Sequence, residues 1–143
     1  MTKYGPIVFL EDDSDDQEFI REVIEGLNVR NDLMIFSTAM EAFKFLKETA
    51  IQPFIIFCDI NLPMINGLEF KKMMEEDPSL KEKSIPFVFF STSVDKASVE
   101  EAFEQMTVQG FFQKPANIPE LKKMLQVIID YWTLSKHPAS DEY

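Results

Sequence analysis

The sequence predicts an α/β protein with a parallel sheet covered on both faces, and two observations predict it. Five short, nearly continuous apolar runs recur along the chain: IVFL (7–10), LMIF (33–36), FIIFCDI (54–60), PFVFFS (86–91) and GFFQ (110–113). Between them lie segments whose apolar residues repeat at helical spacing. Strands buried on both faces read as unbroken apolar runs, and strands that alternate with helices pair in parallel through right-handed crossovers.

Each element has its own signal. After the first strand, Ser14 and Gln17 are spaced for a capping box. Phe19, Ile20, Val23, Ile24 and Leu27 then mark one helical face. After the second strand, Ala39, Ala42, Phe43 and Leu46 form the next stripe. After the third, a helix is expected from Gly67 to Asp77, stopped before Pro78 because the residue preceding a proline avoids helical geometry. Val99, Ala102, Phe103 and Met106 follow the fourth strand at i, i+3, i+4 and i+7. A last helix is expected from about Ile118 to Ser135, with Pro119 tolerated in its first turn. That makes five strands and five helices. Met73, Met74, Met106 and Met124 read as packing residues, Phe89 and Phe90 as core, and His137 as solvated.

The length, 143 residues, suits one domain. Residues 1–135 are read as that domain and 136–143 as a flexible tail. The 14 Phe allow a sizeable core, and no repeat or low-complexity linker interrupts the alternation. The formal charge of −11 argues against binding nucleic acid through its phosphates or docking on an anionic membrane, and favours a basic partner or a bound cation. Cys58 is the single cysteine, so neither an intramolecular disulfide nor a cysteine zinc cluster can form; in its apolar run it reads as an inert buried thiol. No signal peptide or stretch of membrane-spanning length is visible, and a cytoplasmic protein is expected.

In such sheets, ligands gather at the carboxyl ends of the strands. The first strand ends in Glu11, Asp12 and Asp13, the third in Asp59, the fourth in Ser91 and Thr92, and the fifth in Lys114 followed by Pro115. Clustered carboxylates repel one another, and a hard divalent cation with oxygen ligands relieves that repulsion; Mg²⁺ suits a few carboxylates plus water and a phosphoryl oxygen. Lys114 and Ser91 are suited to phosphate oxygens. Asp59 is then the candidate nucleophile for an aspartyl-phosphate, with the charge of the transferring group offset by metal and lysine.

Together these residues resemble a response-regulator receiver domain, and the resemblance spans residues 4–135. It rests on an acidic pair after strand one, Asp59 after strand three in DINLPMING, Ser91 after strand four and Lys114-Pro115 after strand five. It implies a flavodoxin-like doubly wound (βα)5 fold with strand order 2-1-3-4-5. It implies phosphorylation of Asp59, and Mg²⁺ bound by Asp12, by Glu11 through water, by Asp59 and by the Asn61 carbonyl. It further implies a switch made of Ser91 and Phe111, and a histidine kinase or histidine phosphotransfer protein as phosphodonor. The protein would signal through contacts with an output protein and would not be an enzyme beyond its own phosphorylation and dephosphorylation. The register leaves Asp13 open as a partner in the acidic pair, and Thr92 as the hydroxyl in place of Ser91. Phe111 lacks the hydroxyl that could fix an inward-turned ring.

Other readings are weaker. Acids at 12, 13, 15 and 16 suit a helix N-terminus, which accounts for Asp15 and Asp16 but not for the other strand ends. An EF-hand starting at Asp12 fails at Gln17, where glycine is needed, and at Val23, where the final glutamate is needed. A phosphohydrolase of the haloacid dehalogenase type needs a second Asp where Asn61 stands. A degenerate receiver that binds partners without phosphorylation is opposed by the completeness of the set. At the end of the last helix, Tyr131 and Trp132 suit either an interface, which includes self-association, or packing under the tail.

Overall fold

A computed structural model describes residues 2–92 and 94–139. After a 3₁₀ turn at Thr2–Tyr4 come β1 (Ile7–Leu10), α1 (Ser14–Gly26), β2 (Leu33–Phe36), α2 (Ala39–Glu48), β3 (Ile55–Cys58), α3 (Gly67–Glu76), α4 (Pro78–Lys83), β4 (Phe87–Ser91), α5 (Lys96–Gln105), β5 (Gly110–Gln113) and α6 (Ile118–Leu134). The five strands form one sheet in the order β2-β1-β3-β4-β5, every neighbour parallel. This is the expected flavodoxin-like arrangement.

Each face of the sheet carries its own core. On one face, Phe9, Phe57 and Phe90 meet Ile20, Val23 and Ile24 of α1 and Leu121, Leu125 and Ile128 of α6. Phe9 and Phe57 stack with centroids 4.5 Å apart, and Phe90 stands edge-on to both. On the other face, Phe87 and Phe89 pack with Leu46 of α2, Phe70 and Met74 of α3, Leu80 of α4 and Ala102 of α5. The central strands β1, β3 and β4 are buried throughout, which is why they read as unbroken apolar runs, whereas edge strand β2 is only half-buried.

The structure differs from the sequence reading in several local respects. The third helical segment does not stop at Asp77. It breaks there and restarts, with Pro78 at the first position of α4 and the Asp77 carboxylate accepting the backbone N–H groups of Ser79 (3.0 Å) and Leu80 (3.1 Å). Proline ends one helix and starts the next because its missing N–H is not needed in a first turn. That gives six α-helices among the described residues. At α1 the capping residue is Asp13, whose side chain accepts the Asp16 N–H at 2.9 Å. Gln17 is therefore no capping-box partner; its amide donates to the Glu11 carbonyl (2.6 Å) and to Ser37 Oγ (3.1 Å), joining two loops. His137, read as solvated, is half-buried: Nε2 lies 2.7 Å from the Ser84 carbonyl oxygen and Nδ1 accepts the Ala139 N–H. Trp132 packs against the α1/α6 core while Tyr131 is exposed. Residues 140–143 of the expected tail lie outside the described residues.

Candidate functional site

The carboxyl edge of the sheet collects the candidate residues. Asp59 directly follows β3, and its backbone N–H still donates to the Leu10 carbonyl of β1 at 3.0 Å, so its main chain is held by the sheet although it lies past the strand. Asp59 as a whole is 6% exposed. Oδ1 accepts from Ser91 Oγ (2.8 Å) and from the Asn61 N–H (3.0 Å). Oδ2 faces Lys114 Nζ at 3.2 Å. The loop beyond Asp59 is pressed against α3: a Cβ on Gly67 would fall 2.2 Å from the Asp59 carbonyl oxygen and 2.9 Å from Ile60 Cα, so only glycine fits there.

Lys114, at the end of β5, is held by its N–H bond to the Ser91 carbonyl at 2.9 Å. Its ammonium pairs with Glu11 Oε1 and with Asp16 Oδ2 (3.2 Å) as well as with Asp59. Glu11 is 2% exposed, and its second oxygen accepts the Asp13 N–H at 3.2 Å. Asp12 is exposed at the rim. Oxygens of Glu11, Asp12 and Asp59 lie within 4.8 Å of one another. These are hard donors at a spacing one divalent cation could span, so the residues fit a divalent metal. Glu11 and Asp59 each have both oxygens engaged, which leaves exposed Asp12 as the most available ligand.

The site is over-supplied with negative charge. Burial raises the Asp59 pKa above the ordinary carboxylate value, with nearby Asp12 adding to the rise while the bonds from Ser91 and Asn61 oppose it. Burial likewise raises Asp16, helped by Asp13 and Asp59. Burial pulls the Lys114 ammonium down to about 8, against the three carboxylates around it.

The structure thus brings Glu11, Asp12, Asp59, Asn61, Ser91 and Lys114 together. Asp13 caps α1, and Thr92 is exposed while Ser91 is wholly buried and bonded to Asp59. Phe111 stands apart from the carboxylates, half-buried on the α3/α5 face with its ring centroid 5.4 Å from that of Phe89. Asp16 joins the site without having been foreseen. Its partner lies 98 residues away, and nothing local separates it from its exposed neighbour Asp15.

The chain is similar to known proteins over most of its length. A family model described as the response regulator receiver domain matches residues 7–126. The chain is 30% identical over 131 residues to the response regulator Rcp1 of Synechocystis sp., covering 88% of this chain and 87% of that protein. It spans about half the length of several other curated relatives. Among solved structures, the phosphorylated cyanobacterial phytochrome response regulator RcpA superposes with a TM-score of 0.82 at 27% identity, covering 94% of this chain and 98% of that one. The Mn²⁺-bound form of Rcp1 superposes with a TM-score of 0.78, also at 27% identity and with the same coverage. Among the described residues, no helix is long and apolar enough to cross a membrane.

Proposed function

The chain belongs to the response regulator receiver domain family, and on that premise we propose that it is a cytoplasmic, Mg²⁺-dependent phosphoacceptor that takes a phosphoryl group on Asp59 from a histidine kinase or histidine phosphotransfer protein. The observation that carries this reading is a single buried carboxylate met by a hydroxyl, an ammonium and an exposed acid from four different strand ends.

The chemistry assigned to these residues follows from their contacts. Asp59 Oδ1 is pinned by Ser91 and Asn61, which leaves Oδ2 to attack phosphorus. The Oδ2–P bond forms as the N–P bond of the phosphohistidine breaks, and its electron pair stays on the imidazole. Lys114 Nζ already lies within reach of Oδ2 and would neutralise charge on the transferring group. Asp12 and Asp59, with Glu11 through water and the Asn61 carbonyl, would hold Mg²⁺, which supplies positive charge opposite the phosphoryl oxygens. Ser91 would release Asp59 and donate to a phosphoryl oxygen instead. Phe111, on the strand next to Ser91, would respond to the space so vacated, biasing the surface around β5 and its flanking helices toward an output partner. Residues 1–135 serve as the receiver unit in this reading, and 136–143 as its tail.

The test is intact-protein mass after incubation with acetyl phosphate, with and without Mg²⁺. One phosphoryl adduct is expected in the parent only with Mg²⁺, and none in Asp59→Asn. An unmodified parent that also fails to bind beryllofluoride would overturn the proposal.

A further inference from the structure

Lys71 is the one lysine buried where the phosphoacceptor chemistry has no use for it. It projects from the second turn of α3 and is 8% exposed. Its ammonium sits 4.8 Å from the centroid of the Phe87 ring. No hydrogen bond or ion pair to it is found among the described residues. Glu75, one turn further along α3, makes no ion pair with it among the described residues, and its Oε1 accepts the Thr107 N–H at 2.7 Å. Burial lowers the Lys71 pKa and Glu75 only partly opposes this. A cation over an aromatic face with no anion against it keeps an unfilled demand for negative charge.

Lys71 also forms part of the wall of a groove of about 350 Å³. Met74, Leu80 and Ile85 give that groove an apolar lining, and Lys81, Thr107 and Gln109 stand around it. The groove is remote from the phosphoacceptor. Phe87 opens β4 and Ser91 closes it, so the two ends lie about 13 Å apart at the usual rise per strand residue.

We propose that this groove is a binding site for a small organic monocarboxylate, its carboxylate against Lys71 and its short apolar chain along Met74, Leu80 and Ile85. A single negative charge matches the groove because Glu75 in the same wall offsets one of its two ammonium groups, Lys71 and Lys81. An apolar chain is required because ammonium groups alone do not select an organic acid from other anions, whereas the lining does.

Titration of the ¹⁵N-labelled full chain with hexanoate, followed by amide shifts, tests this. Saturable shifts are expected at Thr107, Gln109 and Ile85, with hexanol and inorganic phosphate producing none. Lys71→Met should weaken hexanoate at least ten-fold. Glu75→Gln, which keeps an acceptor for the Thr107 N–H, should tighten it several-fold, and it decides the matter if Lys71→Met does not fold. Equal binding of hexanol would reduce the groove to an apolar patch, and equal binding of phosphate would make it unselective. Indifference of hexanoate to both substitutions would place it elsewhere. Each of these results overturns the proposal.

Discussion

Lys114 and Lys71 are buried to a similar degree, each side chain or residue being 8% exposed, and burial lowers the pKa of both. Their surroundings differ in sign. Lys114 faces Glu11, Asp16 and Asp59, so the carboxyl end of the sheet holds more negative charge than one ammonium can neutralise. Lys71 faces the Phe87 ring and, among the described residues, no paired carboxylate. The first region stores an excess of anions that a cation would relieve, and the second stores a cation that an anion would relieve. A buried charge therefore points to different ligands according to what was left unpaired around it.

The largest way to break this contrast is Lys114→Met. Removing the Lys114 ammonium from three clustered carboxylates should destabilise the metal-free protein by about 3 kcal/mol. Urea unfolding measures the loss, and millimolar Mg²⁺ should restore much of it. Asp59→Asn should act in the opposite direction. It removes a carboxylate whose burial is costly, and stability without metal should rise by roughly 1 kcal/mol. Mg²⁺ should then stabilise the parent far more than the variant, as read from paired thermal melts.

A pH series sharpens the same point. The folded-state pKa of Asp59 lies above its unfolded value, so the native state binds more protons in the window between them. Stability of the metal-free parent should therefore fall as pH rises through that window, just above the ordinary carboxylate range. Asp16 shifts in the same direction and adds to the slope, so Asp59→Asn should flatten it only in part. The smallest effect belongs to Lys71→Met, which exchanges an unpaired cation for an apolar side chain of similar length. The change in unfolding free energy should stay within about 1 kcal/mol, against the large loss at Lys114.

The sheet was legible because its central strands are buried on both faces, and IVFL and PFVFFS carry that burial as unbroken apolar runs. The ends of those strands were legible for the same reason: a charged or hydroxylic residue directly after such a run has few reasons to be there. What escaped notice depends on partners distant in sequence or on local competition. Asp16 is marked only by Lys114. Ser14 lost the capping role to Asp13, since two adjacent residues of equal capping ability cannot be ranked from the sequence. Pro78 served as a start where a stop was expected, because the Asp77 carboxylate caps a new helix. Nothing in the sequence separates Lys71 from its exposed neighbour Lys72, and only the fold turns it inward beside Phe87.

The glycine at the start of α3 has a consequence for inheritance. With the Asp59 carbonyl oxygen 2.2 Å from where any side chain would begin, position 67 has no conservative substitutes. In a saturation library it should behave as an all-or-none column, with even alanine scoring among the losses, while exposed Met64 three residues earlier, at φ 66°, should accept glycine and asparagine more readily than β-branched residues. A lineage could change the chemistry of this loop at almost any other residue, but it could not pass through position 67 on the way.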